Sequence, residues 1–145
     1  MTHVLSGKEI SSKLSEFGDF TEINDVSVWI PKEDVLPICD FLKHDFESKF
    51  DFLRSISAVD YIEYFEIVYH LVSLELNHSC VLKTKCYGRE DVFLSSVITV
   101  WKGADLQERE IWDLMGVRFE GHPNMKRILL WDGFEGHPLR KDFTE

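Results

Sequence analysis

The chain has 145 residues, a formal net charge of −10, and 44% hydrophobic and 29% charged residues. A chain of this length can bury enough surface to fold as one domain without disulfides or metals. The acidic balance, with no basic cluster, argues against nucleic-acid binding and against direct adsorption to anionic lipid. Composition therefore predicts a soluble globular protein and not a disordered chain.

The three cysteines, Cys39, Cys80 and Cys86, form no CxxC pair and are odd in number. They support neither a disulfide framework nor a thiolate metal or iron–sulfur site. No N-terminal segment resembles a signal peptide, and the apolar runs are much shorter than a bilayer span. We expect a reducing cytoplasm as the compartment, and any membrane association to come through partners.

Two helices are predicted in the first third of the chain. Ser6 and Glu9 have the spacing of a capping box, and apolar residues follow at helical intervals. Asp34 can cap a second helix, in which apolar residues recur from Val35 to Phe46 with Cys39 among them. We expect Cys39 to be a small core residue and not a reactive thiol.

The middle of the chain is predicted to form β-strands. Residues 26–30 alternate and end at a proline, residues 52–60 form a second strand, and residues 64–76 and 79–87 form a hairpin. Lysines alternate with apolar residues in 79–87, as expected when one face of an antiparallel sheet meets water. The apolar phase of the first hairpin strand changes after Leu71, which indicates either a bulge there or burial on both faces.

The stretch ADLQEREIWDLMG, residues 104–116, has the periodicity of a helix. Ala104, Ile111 and Met115 fall within one narrow stripe that would face the core. Gly116 is the residue type most often found just past a helix end.

Charged residues of this helix are predicted to pair. Glu108 lies inside the apolar stripe, and a buried carboxylate either protonates or finds a cation and hydrogen-bond donors. We therefore predict that Glu108 is ionised and paired with an arginine. Arg109 and Asp113, four residues apart on the opposite face, are expected to pair along the helix.

One pentapeptide, FEGHP, occurs at residues 119–123 and again at 134–138. Its glycine and proline break a helix, and proline withholds a donor from a strand ladder. We predict one turn used twice, in which glycine supplies backbone freedom and the rings of His122 and His137 bond a neighbouring backbone or carboxylate group.

These elements together predict an α+β domain over residues 1–116, with a mostly antiparallel sheet packed with helices, and an extended C-terminal tail over residues 117–145. The tail could fold back on its own domain or grip a partner, and its mixed charged and apolar side chains suit a protein interface. We expect nine residues to fix the tail and its partner contacts: Glu108, Arg109, Asp113, His122, Arg127, His137, Arg140, Lys141 and Asp142.

A metal site is the weaker alternative for the same region. Its candidate ligands are His122, His137, Glu108 and Glu110, but no close pair such as HxxxH occurs. The chain also lacks GxSxG and the glycine-rich phosphate loops. We predict no catalytic residue and no cofactor or metal in this chain, and keep a small metal-dependent enzyme as an alternative.

The segments EREIWDLMGVRFEGHPNMKRILL and GFEGHPLRKDF closely resemble the signature of the 30 kDa subunit family of respiratory complex I, the proton-translocating NADH–quinone oxidoreductase. The match is dense over about residues 95–143 and extends upstream through AVDY and FEIVYHL. The resemblance implies a subunit of the hydrophilic arm that binds no cofactor itself. It would brace the quinone-site subunit and the subunit that carries the terminal iron–sulfur cluster.

In that assembly, NAD, FMN, iron–sulfur clusters and quinone belong to other subunits, and the chain lies peripherally at the cytoplasmic face of the cell membrane. Electron transfer from NADH to quinone would be coupled to proton translocation. Many members have Asn-Trp where this chain has Asp105 and Leu106. The pair in this chain resembles chloroplast and cyanobacterial relatives, which take electrons from ferredoxin. A ferredoxin-linked quinone oxidoreductase and an energy-converting hydrogenase therefore remain alternative assemblies.

Overall fold

The structure, a computed structural model, describes residues 2–144. Three α-helices and seven β-strands occur within these residues. In chain order they are β1 (His3–Val4), α1 (Gly7–Lys13), β2 (Ser27–Trp29), α2 (Val35–His44), β3 (Phe52–Asp60), β4 (Tyr64–Ser73), β5 (His78–Tyr87), β6 (Phe93–Ser95), α3 (Ala104–Met115) and β7 (Arg118–Glu120).

The larger sheet has the order β1-β5-β4-β3, and β2 also pairs with β5. Its long pairings, β3 with β4 and β4 with β5, are antiparallel, whereas the short strands β1 and β2 run parallel to β5. The α+β class and the mostly antiparallel sheet are thus confirmed. The parallel pairings were not predicted, because they join segments that are far apart in the chain.

A second, two-stranded sheet forms where the predicted tail begins. β6 pairs in parallel with β7, with Leu94 opposite Phe119. Val117 and Phe119 are buried in the core, so residues 117–120 pack against the body. The division of the chain after residue 116 stays a prediction.

One hydrophobic core joins the helices to a single face of the larger sheet. Along β5, Cys80, Leu82, Thr84 and Cys86 are buried, and the lysines between them are partly exposed, in agreement with the predicted alternation. The same core includes Ile10 and Leu14 after the start of α1, Ile38 and Leu42 of α2, and Ile111 of α3. The sheet therefore carries its helices on one face, here called the inner face.

The capping box of α1 is present as predicted. Ser6 Oγ accepts a hydrogen bond from the Glu9 backbone N–H at 3.1 Å, and Glu9 Oε1 accepts one from the Ser6 N–H at 3.2 Å. This reciprocal pair satisfies two of the donors that a helix start leaves without intrahelical partners.

One local prediction is wrong, and one pair of alternatives is decided. α2 ends at His44, and Phe46, which the periodicity placed on its apolar stripe, is 80% exposed because it lies beyond the helix. The bulge lies in β3, between Leu53 and Ser55, and not in β4. Buried residues on both faces of β4, from Phe65 to Tyr69, explain its change of apolar phase.

α3 is positioned against the edge strand β3. The side chain of Gln107 accepts a hydrogen bond from the Ile56 backbone N–H at 2.6 Å, so the helix satisfies a donor that the sheet edge would otherwise leave open. The helix ends at Gly116, whose φ of +81° is in the left-handed region. This is the predicted helix and the predicted glycine cap.

Candidate functional site

The tail turns back after β7 and lies along α3. The last carbonyls of a helix have no intrahelical donors, and here the tail supplies them. The Asp113 carbonyl accepts from Arg127 Nη1 at 2.8 Å and from His137 Nδ1 at 2.9 Å, and the Leu114 carbonyl accepts from the Leu139 N–H at 2.9 Å. These three donors, of which Arg127 is cationic, therefore satisfy carbonyls at the C-terminal end of the helix, where positive charge is favoured.

The Asp113 carboxylate is fully buried and holds the tail at its middle. Its Oδ2 accepts the backbone N–H groups of Ile128, Leu129 and Leu130 at 3.1, 2.7 and 3.0 Å, and its Oδ1 accepts from Arg127 Nη1 at 2.9 Å. Burial acts to raise the pKa of Asp113, but these four donors outweigh it and bring the pKa below its ordinary value. The charge is thus held by convergent donors at neutral pH.

Arg127 links separate parts of the tail to the helix. Its Nη2 donates to the carbonyls of Phe134 and Gly136 at 2.7 and 2.8 Å, while its Nη1 binds Asp113. Its guanidinium carbon lies 5.2 Å from the centroid of the Trp112 ring, within cation–π range. The planar fork of an arginine is suited to such divergent bonds, and a lysine would not reproduce them.

The predicted Arg109–Asp113 pair along the helix is wrong. Arg109 donates instead to the carbonyls of Lys126 and Arg127, at 3.2 and 2.9 Å. The reason is that the tail covers the face of α3 that periodicity assigned to solvent. Asp113 is therefore occupied by the tail, and Arg109 holds the backbone just before it.

The predicted ion pair of Glu108 with an arginine is also wrong, although its burial was predicted correctly. Glu108 Oε1 lies 2.5 Å from Ser96 Oγ, and Oε2 accepts the Val97 N–H at 2.9 Å. No cation bonds to it among residues 2–144. Burial raises the pKa of Glu108 to about 7, despite these two hydrogen bonds, so below that pH a proton takes the place of the expected arginine.

In both FEGHP copies the histidine ring bonds a backbone carbonyl of α3 and the glycine has a positive φ, so the predicted repeated turn is confirmed. His122 Nε2 lies 3.1 Å from the carbonyl of Asp105, in the first turn of α3, and His137 Nδ1 bonds the carbonyl of Asp113, in the last turn. Each copy places its glycine in the left-handed region, with φ of +89° at Gly121 and +88° at Gly136. The repeat thus attaches the tail near both ends of one helix.

The end of the tail is attached at the end of β3. Arg89 binds Asp60 in a fork, Nη1 to Oδ1 at 2.6 Å and Nη2 to Oδ2 at 2.8 Å, and Asp60 Oδ2 also accepts the Lys141 N–H at 2.9 Å. Asp142 bridges Arg89 and Arg140, with closest distances of 3.0 and 2.8 Å. Arg89 holds the pKa of Asp60 well below its ordinary value, and Arg140 and Arg89 lower the pKa of Asp142 to about 2.

Asp60 and Arg89 were absent from the predicted site. A signal for Asp60 did exist, because it follows Ile56 and Ala58 at a spacing of two and so points to the inner face of β3. Arg89 lies in a polar break between strands, and nothing in its local pattern indicates a partner twenty-nine residues earlier. Such long-range pairs are set by the tertiary fold.

The nine predicted residues therefore divide into three groups. Glu108 lies in the core, away from the tail. Lys141 contributes its backbone N–H, while the residue itself is exposed. The other seven bond through their side chains either the tail or the face of α3 that the tail covers: Arg109, Asp113, His122, Arg127, His137, Arg140 and Asp142. Their part in partner contacts stays a prediction.

Three large apolar side chains of the attached tail are exposed. Leu129, Trp131 and Leu139 are 59%, 70% and 60% exposed, while the neighbouring backbone is bound by Asp113 and Leu114. Large exposed apolar residues on an ordered backbone are typical of interaction surfaces. We call these three residues the tail surface.

The alternative ligands of a metal site are not assembled. Within residues 2–144, no group of three or more His, Cys, Asp or Glu side chains is placed to hold a metal ion. Over the same residues, no helix combines the length and the apolar composition that crossing a bilayer requires.

Fold and site together define a class: a small α+β domain with a C-terminal segment attached to its last helix by buried carboxylates and arginines. A family model described as the respiratory-chain NADH dehydrogenase 30 kDa subunit matches residues 28–145. The chain belongs to this family, the 30 kDa subunit family of complex I, as the resemblance of its C-terminal segments implied.

Relatives from bacteria and mitochondria agree. The chain is 44% identical over 117 residues to an NADH-quinone oxidoreductase subunit of Rhizobium meliloti, covering 79% of this chain and 63% of the relative. It is 37% identical to the mitochondrial NADH-ubiquinone oxidoreductase 30.4 kDa subunit of Neurospora crassa, covering 83% and 43%. The chain therefore spans less than two thirds of the length of these relatives.

The fold is similar to a chain in the structure of the membrane-bound sulfane sulfur reductase, an archaeal respiratory membrane complex. The TM-score is 0.72 at 30% identity, with 95% of this chain and 85% of that chain covered.

Proposed function

We propose that this chain is a structural subunit of the hydrophilic arm of an NADH–quinone oxidoreductase, and that the tail surface is its contact with partner subunits. The observation that carries this proposal is that the body binds the tail backbone while apolar side chains of the tail stay exposed. Buried groups of the body, above all Asp113 and Asp60, bind the tail backbone, and Leu129, Trp131 and Leu139 are left facing outward.

This arrangement favours binding because the tail surface is ordered in advance. A disordered segment must lose conformational entropy when it binds, at a cost of several kcal/mol. Here the hydrogen bonds to α3 have already fixed the backbone. Tryptophan, which is 70% exposed at position 131, is also among the residues that dominate interface energies.

In this role the chain holds no redox group. NAD, FMN, iron–sulfur clusters and quinone would be bound by other subunits, while this chain braces the quinone-site subunit and the subunit with the terminal iron–sulfur cluster. It would lie peripherally at the cytoplasmic face of the cell membrane and reach the membrane through those partners. Membership of the 30 kDa subunit family supports this assignment.

A second assembly is favoured by one observation. The similar archaeal structure comes from a membrane-bound sulfane sulfur reductase, so this fold also serves a respiratory complex with a different reaction. The same tail surface could then brace an equivalent pair of subunits in a ferredoxin-linked quinone oxidoreductase or an energy-converting hydrogenase.

Purification from the host distinguishes these assignments. The full chain would be tagged at its N-terminus, so that the C-terminal tail is left unmodified, and membranes solubilised gently before mass spectrometry of the co-purifying subunits. NADH, reduced ferredoxin and hydrogen would be supplied separately as electron donors to the same fraction. Iron–sulfur and integral-membrane subunits with NADH–quinone activity support the first proposal; activity with another donor supports the second. A lone chain would refute both.

A further inference from the structure

The larger sheet has a second face that its helices leave uncovered. Helix side chains join the inner-face residues in one core, and Val68, which points the other way, is outside that core although it is buried. On this outer face Phe52, Tyr61 and Tyr87 are 47%, 48% and 66% exposed. Aromatic rings on an uncovered sheet face are typical of a surface that contacts another molecule.

Three basic residues meet on this face. Arg54 lies at the bulge of β3, His70 pairs with Ser55 across β3 and β4, and Lys83 pairs with Val68 across β4 and β5. Partial burial of the ring, together with the nearby charges of Arg54 and Lys83, holds the pKa of His70 below its ordinary value. His70 on β4 therefore lies near both cations, one on the strand to each side.

Two of these side chains have no hydrogen-bond or ion-pair partner within residues 2–144. Arg54 is the one arginine that makes no hydrogen bond or ion pair among residues 2–144, and His70 makes none there either. The Lys83 ammonium lies 4.8 Å from the centroid of the Trp29 ring. An arginine and a lysine without ion-pair partners among the described residues, on the same sheet face, are unexpected in a chain of net charge −10.

We propose that the outer sheet face is a second protein-binding surface, which takes an acidic segment of a partner with its carboxylates between Arg54 and Lys83. We define this surface by Trp29, Arg54, His70, Val81 and Lys83. It goes beyond the proposed function, because it lies on the face of the sheet opposite the helices and uses none of the residues that attach the tail.

A protein segment fits this surface better than a nucleic acid or a lipid membrane. Glu66 and Glu22 lie beside the cations, where Glu66 accepts from the Trp29 indole at 2.7 Å and Glu22 binds Lys85 at 2.6 Å. These carboxylates would repel a continuous array of phosphates. An acidic peptide brings few charges, and its apolar side chains can cover Val81 and the exposed rings.

The test uses the purified full chain labelled with nitrogen-15 and, as the probe, a short peptide with two glutamates among leucines. We expect shifts at the Trp29 indole and a rise in the pKa of His70 toward its ordinary value, because a bound carboxylate offsets the charges of Arg54 and Lys83. The double variant Arg54→Gln/Lys83→Gln should bind about fivefold more weakly, as expected for two surface ion pairs. Raising the salt concentration should weaken binding further.

The matched control is Lys8→Gln/Lys102→Gln, which removes the same charge at two exposed positions elsewhere. Equal weakening by both double variants, or shifts that map outside the outer sheet face, would overturn the proposal. So would binding of phosphatidylserine vesicles, but not of the peptide, through the same residues. Because the free chain is measured, the result is independent of which complex the chain joins.

Discussion

The hydrogen bonds that attach the tail lead to a strong prediction for the replacement of Asp113. Replacing Asp113 with asparagine keeps the size of the side chain but removes its charge and one acceptor oxygen. The amide can face either the three backbone N–H groups of residues 128–130 or Arg127, and one side is then left without an acceptor. Hydrogen bonds to a charged group contribute about 1.5–3 kcal/mol each, and losing a buried partner costs about 3–5 kcal/mol.

A loss of about 3 kcal/mol from tail attachment is therefore expected. Since about 1.4 kcal/mol is tenfold in an equilibrium constant, the backbone amides of Ile128, Leu129 and Leu130 should exchange with deuterium about a hundredfold faster, or lose all of their protection if attachment is weaker than that. The amides of β4 and β5 should keep theirs, because the core does not depend on Asp113.

Asp132→Asn is the control, since it removes the same charge from an exposed tail residue. Exchange in residues 128–130 that stays within about twofold of the wild type, or that rises equally in both variants, would refute the role assigned to the Asp113 carboxylate.

Three further predictions follow. Gly116→Ala should destabilise the chain by about 1–2 kcal/mol more than Gly121→Ala in chemical denaturation. Both glycines have positive φ, but of the two only Gly116 would place the added Cβ 2.8 Å from the His137 ring. Equal losses of stability in the two variants would contradict this. Wild-type stability should fall by about 3 kcal/mol as pH rises from 4.5 to about 7, because folded Glu108 keeps a proton that the unfolded chain releases. Glu108→Gln should remove that slope, and an unchanged slope would show that Glu108 is not its source. Asp60→Asn should remove stability that the wild type has above pH 3.8 and loses progressively as pH falls toward the lowered folded pKa of Asp60. Denaturation curves from about pH 2 to 6 measure this, and a loss that does not shrink as pH falls would contradict it.

Local patterns in the sequence were sufficient for several elements. The capping box at Ser6, the alternation along β5 and the periodicity of residues 104–116 each report contacts within one element or one sheet face. The left-handed glycine of each FEGHP turn was also predictable, because it depends on residues close together, whereas the carbonyls that the two histidines bond lie 17 and 24 residues earlier in the chain.

Other parts of the site could not be predicted, for physical reasons. Helical periodicity reports one apolar stripe, so it cannot show that the tail buries Asp113 on the opposite face of α3. It correctly placed Glu108 in the core, but a neutral carboxyl and a salt-bridged carboxylate look the same in a sequence. The Asp60–Arg89 fork and the pairing of β6 with β7 depend on the tertiary arrangement.

The central claim, that the attached tail presents a preformed surface to partner subunits, is tested most directly by changing that surface alone. The tagged chain would carry Leu129→Ala and Trp131→Ala, with Phe46→Ala and Leu74→Ala as a control that removes exposed apolar side chains elsewhere, 80% and 69% exposed. The co-purified iron–sulfur and quinone-site subunits would be quantified by mass spectrometry. We predict at least about a tenfold loss of both subunits from the tail variant only, as expected for truncation of an interface tryptophan. Full recovery of both subunits would contradict the claim.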